Sequence, residues 1–195
     1  MDIQEFSLHT MTETDVPAVL ELSDRCVGKG LYSEGQIREL LERPTADCRV
    51  LRAPTGALAG YCLTYLADAR EAADTTKLSM ETLRSLTPGR MPRVGICKSL
   101  GTEATYRGLG LGCQLQEACV DGLFQKGADF LLGVAWRKGY HVPVRGILER
   151  LGFSFLQDTQ RVWYDEEGLS CPYCGEERCI CPAAIFIRER GTRCD

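Results

Sequence analysis

A chain of 195 residues with 44% hydrophobic and 26% charged content has the size and composition of one soluble globular domain. Its formal net charge of −4 argues against nucleic acid as a partner, because that binding rests on Lys and Arg neutralising phosphates, and it favours a cationic or amine-bearing substrate. No apolar run approaches the ~20 residues of a membrane span, and MDIQEFSLHT at the start lacks the basic and apolar regions of a signal peptide, so the expected compartment is the cytoplasm. Residues 3–10 read as a first strand. Thr12 or Thr14 can cap a helix reaching about Cys26, with Pro17 in its first turn. Residues 28–33 break that pattern, Ser33 opens a second helix, and Pro44 stops it. Residues 47–53 and 57–67 read as a hairpin turned by Pro54, Thr55 and Gly56. Residues 68–92 form a polar, helix-like insert, most helical from Thr75 to Leu86, and either a surface flap or a lid over a binding site. A strand over 94–102, a helix from Leu111, an apolar strand over 128–136 and a helical pattern over 141–153 follow. The last two strands are placed at roughly 161–167 and 183–189. No internal repeat interrupts this order.

The stretch YRGLGLGCQLQEACVDGLF, residues 106–124, carries the first functional signal. Arg107 is followed by Gly108, Gly110 and Gly112, and then apolar residues recur at three- and four-residue spacing. A strand, a glycine-rich turn and a helix aim bare backbone N–H groups at an anion, since the first helical turn has unpaired donors and a partial positive charge. The run is not GxGxxG, because Leu115 stands where a third glycine is needed, and not a P-loop, because Cys113 and Gln114 follow Gly112. It does fit R/Q-x-x-G-x-G/A and so resembles the acetyl-CoA pyrophosphate loop of the GNAT superfamily of N-acetyltransferases. HVPVRGILERLGF, residues 141–153, resembles the same family's asparagine-helix-LYxxxGF signature, ending in Leu148, Leu151, Gly152 and Phe153.

That resemblance implies an α/β fold: a mixed, curved sheet of about six or seven strands with helices on both faces. It implies that acetyl-CoA lies between the fourth and fifth strands, its pyrophosphate on Arg107, Gly108, Leu109, Gly110, Leu111 and Gly112. Backbone near Leu100, Gly101 and Thr102 would hold the oxyanion. A primary amine on a small molecule or peptide would attack the thioester directly in a ternary complex. The family's tyrosine acid is replaced by Leu148, which leaves Tyr140, His141 or Tyr106 as proton donors, or a thiolate that departs unaided. His141 stands in the place of the family's asparagine, as a cofactor contact, a base near neutral pH, or a loop histidine capping the next helix. Glu103 reads as a cap, Cys97 as an unreactive thiol and Tyr32 as a core or surface aromatic. The missing tyrosine also admits a different class, a catalytically silent GNAT-fold protein that binds CoA or a partner. Homodimers are common in similar proteins.

The sequence holds 11 cysteines. Six of them, Cys26 to Cys119, sit in apolar strands and helices as small hydrophobes. Cys171, Cys174, Cys179 and Cys181 form C-x-x-C, four residues, C-x-C, within 169–183. Two close thiol pairs across a short turn suit a tetrahedral zinc. A redox dithiol is the competing reading of C-x-x-C, and disulfides or free thiols are the others. Four protein ligands close the site, so the expected zinc is structural and staples the connection between the last two strands. Cys194 has no evident partner.

Overall fold

A computed structural model of the chain describes residues 5–191; residues 3 and 4 of the expected first strand, and Cys194, lie outside that range. Seven strands form one sheet in the order β1-β2-β3-β4-β5-β7-β6. β1 is Ser7–Thr10, β2 Arg49–Arg52, β3 Leu58–Ala67, β4 Val94–Thr102, β5 Phe130–Trp136, β6 Ser154–Thr159 and β7 Ala183–Glu189. Every neighbouring pair is antiparallel except β4 with β5. That one parallel pair requires a crossover, and α5 (Leu111–Gln125) supplies it.

Helices cover both faces. One face carries α1 (Val16–Cys26), α2 (Glu34–Glu42), α3 (Ala69–Thr76) and α4 (Met80–Ser85); the other carries α5 and α6 (Arg145–Arg150). The caps foreseen in the sequence form. Thr12 caps a 3-10 turn that leads into α1, and Ser33 and Gln36 close a reciprocal capping box on α2, satisfying donors that would otherwise be orphaned. Leu22, Ile37, Tyr61, Leu63 and Ile96 are almost wholly buried beneath the first group of helices.

Two expectations are corrected. The insert is not one helix centred on Thr75–Leu86. Asp68 caps α3, Lys77 ends it in the left-handed region at φ 58°, and Ser79 caps α4. Thr76 donates its hydroxyl to Ala72 O at 2.6 Å, which fastens the end of α3 locally. The penultimate strand is Ser154–Thr159, not 161–167. Gly152, at φ 77°, ends α6 so sharply that the strand begins two residues later. Arg161, at φ 59°, then turns the chain away from the sheet. The apolar residues of 161–167 pack instead of pairing: Trp163 stacks on Trp136 with ring centroids 4.5 Å apart.

The feature that positions the site lies in β4. Cys97 pairs with Thr64 and Ser99 with Leu63, so Lys98 is an extra residue, a β-bulge. Bulges bend a strand and end its pairing on the free side. β4 pairs with β5 from Val94 to Cys97 and no further, while β4 stays on β3 to Thr102 and β5 stays on β7 to Trp136. The two strands part beyond the bulge, leaving a split in the sheet.

Candidate active site

The glycine-rich loop follows the end of β4. Glu103 accepts from Ala104 N–H and pairs with Arg25 at 2.7 Å, which confirms its capping position. A 3-10 turn over Ala104–Tyr106 leads to Gly108 and Gly110, at φ 82° and 80°. A side chain in that region costs about 1–2 kcal/mol. A Cβ on either glycine would meet no atom within 4 Å, so both face open space. Arg107 is braced through Nε to Thr102 O at 3.2 Å. Leu109 and Leu111 pack behind the loop, in the apolar cluster under α5. In front of it lies a cleft of about 380 Å³ lined by Thr102, Arg107, Gly108, Gly110, Leu111, Gly112, Ile147 and Arg150, among others. The start of a 15-residue helix, with the guanidinium groups of Arg107 and Arg150 lining the same cleft, is an arrangement that could hold a polyphosphate.

Three further chambers, adjoining one another, lie along the split. A small one of about 40 Å³ has Cys97, Ser99, Leu100, Gln116, Gly133 and Leu148 in its wall. The next, about 90 Å³, takes lining from both faces of the sheet: Cys26, Val27 and Leu31 on one, Pro143 and Val144 on the other, with Lys98, Trp136, Trp163 and Tyr173 between. The third, about 270 Å³, opens on the α1–α2 side, between Tyr32, the insert's Glu71, Asp74, Thr75 and Lys77, and Val162 to Glu166. Ser99 and Leu100 are common to the first two, and Leu31, Lys98 and Trp163 to the last two. The insert therefore walls the outer chamber.

Polar groups in the split are few. Lys98 is half-buried, its Nζ 5.4 Å from the centre of the Tyr32 ring; burial lowers its pKa, against the raising effect of Glu166. Ser99 Oγ and Tyr61 Oη are 3.0 Å apart. Burial drives Tyr61 up to about 12 and Tyr32 higher still, so both phenols stay protonated at neutral pH. The Cys97 thiol is also pushed up to about 12 by burial, and a thiol without its thiolate is a poor nucleophile.

The sequence-derived site residues divide clearly. Leu100, Thr102, Arg107, Gly108, Gly110, Leu111 and Gly112 line the cleft or the chambers. Gly101 lies under the Tyr61 ring, where a Cβ would come within 2.4 Å of it, so it sets the path of the strand. Tyr140 and His141 sit on the loop between β5 and α6, where His141 pairs through its backbone with Lys138. Tyr140 is 94% exposed and borders a separate cleft beside Phe155 and Phe186; His141 is exposed and lines none of the chambers. Leu148 is buried against Gly133. Lys98, Trp136, Trp163, Glu166 and Tyr173 escaped the sequence reading, because single residues from four separate segments leave no local pattern.

The four cysteines of the knuckle do converge. Their sulfurs lie within 4.8 Å of one another, with Cys171 3.7 Å from Cys181 and 3.5 Å from Cys179. Four bonds of about 2.3 Å to zinc span a tetrahedron with edges of about 3.8 Å. At Cys174 burial acts upward on the pKa, but backbone N–H groups of Glu176 and Ile180 donate to the sulfur and bring it down to about 7. Burial pushes the Cys179 thiol up to about 11, and the buried Trp136 indole N–H, which has no hydrogen bond of full geometry, acts against that rise; a metal-bound thiolate is a strong acceptor for such a donor. The donor set and its spacing fit a structural zinc.

A seven-stranded mixed sheet whose one parallel pair splays at a bulge, beside a glycine loop opening a helix, is the GNAT fold. Solved structures of acetyltransferases agree. The ribosomal-protein-S18-alanine N-acetyltransferase from Escherichia coli aligns with 94% of this chain and 93% of its own, with a TM-score of 0.63 at 16% identity. Arabidopsis thaliana NAA60, solved in complex with acetyl-CoA, covers 95% and 98%, with a TM-score of 0.70 at 11% identity. A GNAT superfamily phosphinothricin acetyltransferase from Sinorhizobium meliloti, solved with AcCoA, covers 95% and 88%, with a TM-score of 0.63 at 14% identity. No family model and no curated protein matches the sequence.

Proposed function

We propose that the chain is an acetyl-CoA-dependent N-acetyltransferase that moves the acetyl group to a primary amine, with a structural zinc in its cysteine knuckle. The observation that carries this reading is the split between β4 and β5, with the glycine-loop cleft on one side of it and an open, carboxylate-edged chamber on the other. A long cofactor enters from the cradle, its amide groups adding along the unpaired edge of β4 as a strand would. Its thioester then stands at the split, and the acceptor arrives from the opposite face.

The amine nitrogen attacks the thioester carbonyl carbon, the C–S bond breaks, and the sulfur leaves with the bonding electrons. Backbone N–H groups on the free edge of β4, from Lys98 to Thr102, stabilise the oxyanion. Lys98, its pKa lowered by burial, is better placed than Tyr140 or His141 to take the amine's proton. Asp165 and Glu166 at the outer chamber draw a protonated amine towards the entrance. Glu71 contributes less, because Arg43 already pairs with it at 2.6 Å.

Calorimetry with acetyl-CoA, followed by a thiol-release screen of amines and peptides, tests the reading. Arg107→Glu with Gly110→Trp adds repulsion and bulk in the cradle and is expected to weaken binding at least a hundredfold, the loss of a charge-assisted pair plus the cradle itself. A parent protein that fails to bind millimolar acetyl-CoA would refute it. The burial of Leu148 in the place of the family's tyrosine favours a second reading, a silent CoA-binding protein; binding without thiol release from any amine would select it.

A further inference from the structure

One wall of the middle chamber belongs to no strand or helix. Tyr173, two residues after Cys171 and immediately before Cys174, lines it together with Lys98, Ser99 and Trp136. The Tyr173 ring meets Trp136 edge to face, with centroids 6.1 Å apart, and Lys138 Nζ lies 5.9 Å from its centre. Its neighbours in the knuckle are anchored. Cys171, Cys179 and Cys181 are buried in the main core beside Leu31 and Trp136, and Ser170 N–H donates to Lys29 O at 2.8 Å. Tyr173 is only half-buried, so its place follows from the path of the chain between the sulfurs. At the other end, the phosphate cleft shares only Pro143 with this chamber.

We propose that the cysteine knuckle is a working wall of the transfer site: a divalent metal on its four sulfurs holds Tyr173 against the acyl end of the bound thioester. Tyr173 is thus a positioning residue, and metal occupancy controls the acyl end of the site while leaving the phosphate end alone. A closed four-sulfur site does no chemistry of its own, but it would fix the turn at Pro172 and Tyr173, neither of which is itself buried. Through that loop it fixes an aromatic surface in the chamber. The inference rests on the acyl-transfer reading above, and it makes the metal part of that site's geometry.

The two tryptophans of the chain, Trp136 and Trp163, both line this chamber, so their emission reports on it directly. The metal-loaded protein is titrated with acetyl-CoA and, separately, with adenosine 3′,5′-bisphosphate, which carries phosphates and adenosine but no thioester. Affinities come from calorimetry, and the chamber is read by fluorescence. Acetyl-CoA is expected to change the emission and the bisphosphate to leave it unchanged. Tyr173→Ala is expected to weaken acetyl-CoA about fivefold, the size of an aromatic contact, with the bisphosphate unaffected, while Tyr173→Phe keeps the parent affinity. Metal removal by chelation should reproduce the Tyr173→Ala pattern; where it unfolds the chain, Tyr173→Ala in the metal-loaded protein carries the test. A Tyr173→Ala protein with the parent ratio of the two affinities, or an emission that acetyl-CoA does not move, overturns the proposal. A parent protein that binds no acetyl-CoA at all refutes the acyl-transfer reading first, and is distinguished from these outcomes by the calorimetry.

Discussion

The contact between Gly30 and Gly168 offers a sharp test of how the acceptor side is built. Gly30 lies in the loop between α1 and α2, at φ 72°. A Cβ there would stand 2.1 Å from Gly168 O, where carbon normally approaches to about 3.5 Å. In Gly30→Ala the Gly168 carbonyl must retreat by more than ~1 Å, pulling on the adjacent pairing of Lys29 with Ser170. The backbone strain costs about 1–2 kcal/mol and the forced movement about 1–3 kcal/mol more. Gly56, in the hairpin turn at φ 83° with no atom within 4 Å of its would-be Cβ, supplies the control, since Gly56→Ala carries only the strain. Urea denaturation of both variants isolates the steric part, and Gly30→Ala should be less stable than Gly56→Ala by about 1–3 kcal/mol. Equal losses would mean that the loop is not wedged against the segment leading to the knuckle, and that the outer chamber is softer than its packing implies.

The remaining predictions concern the metal and the split. Elemental analysis should find about one zinc per chain, and chelation should lower the melting temperature, since binding energy at such a site is folding energy; metal-free protein of unchanged stability would refute a structural role. Lys98→Met removes an amine whose pKa burial has lowered. In the parent, the unfolded chain binds this proton more tightly than the folded one, so stability rises as pH climbs from the lowered folded value to the ordinary lysine value near 10.5. Denaturation of the two proteins from pH 7 to 11 should therefore show Lys98→Met at least as stable as the parent at neutral pH, with its advantage shrinking as pH rises. An advantage that grows with pH would show the amine held charged by a partner, and a thiol-release rate untouched by the substitution would remove Lys98 from proton transfer.

Much of this fold is written in local signals. Asp68, Ser33 and Thr12 are capping residues that satisfy the same backbone donors wherever they occur, and β3, an almost continuous apolar run buried along nearly its whole length, is read from one chain segment. The glycine-rich turn into α5 was legible for the same reason: Gly108 and Gly110 adopt positive φ within a few residues of each other. The strand at Ser154–Thr159 was hidden because α6 and β6 are separated only by Leu151, Gly152 and Phe153, so two periodicities merge without a polar break. The run at 161–167 misled because Val162 and Trp163 are as apolar as strand residues but spend that surface on Trp136.

The middle chamber was hidden for a deeper reason. Its walls come from the end of α1, the bulge in β4, the end of β5, the turn before α6, the stretch after Arg161 and the cysteine knuckle, and only the sheet's topology joins them. The sequence shows the knuckle as four sulfurs with a metal's spacing; it cannot show that Trp136, on a strand 35 residues before Cys171, turns its indole towards one of them. That single contact changes the standing of the metal. A metal that merely stapled a β6–β7 connection would sit as well on any edge of the sheet, whereas these four sulfurs lie in the same core cluster as Trp136, which lines the chamber at the split. Stability of the connection and shape of the chamber are then one physical quantity, the position of Trp136 and Tyr173. A substitution that loosens the cysteine cluster is expected to act on acyl-end binding before it unfolds the sheet.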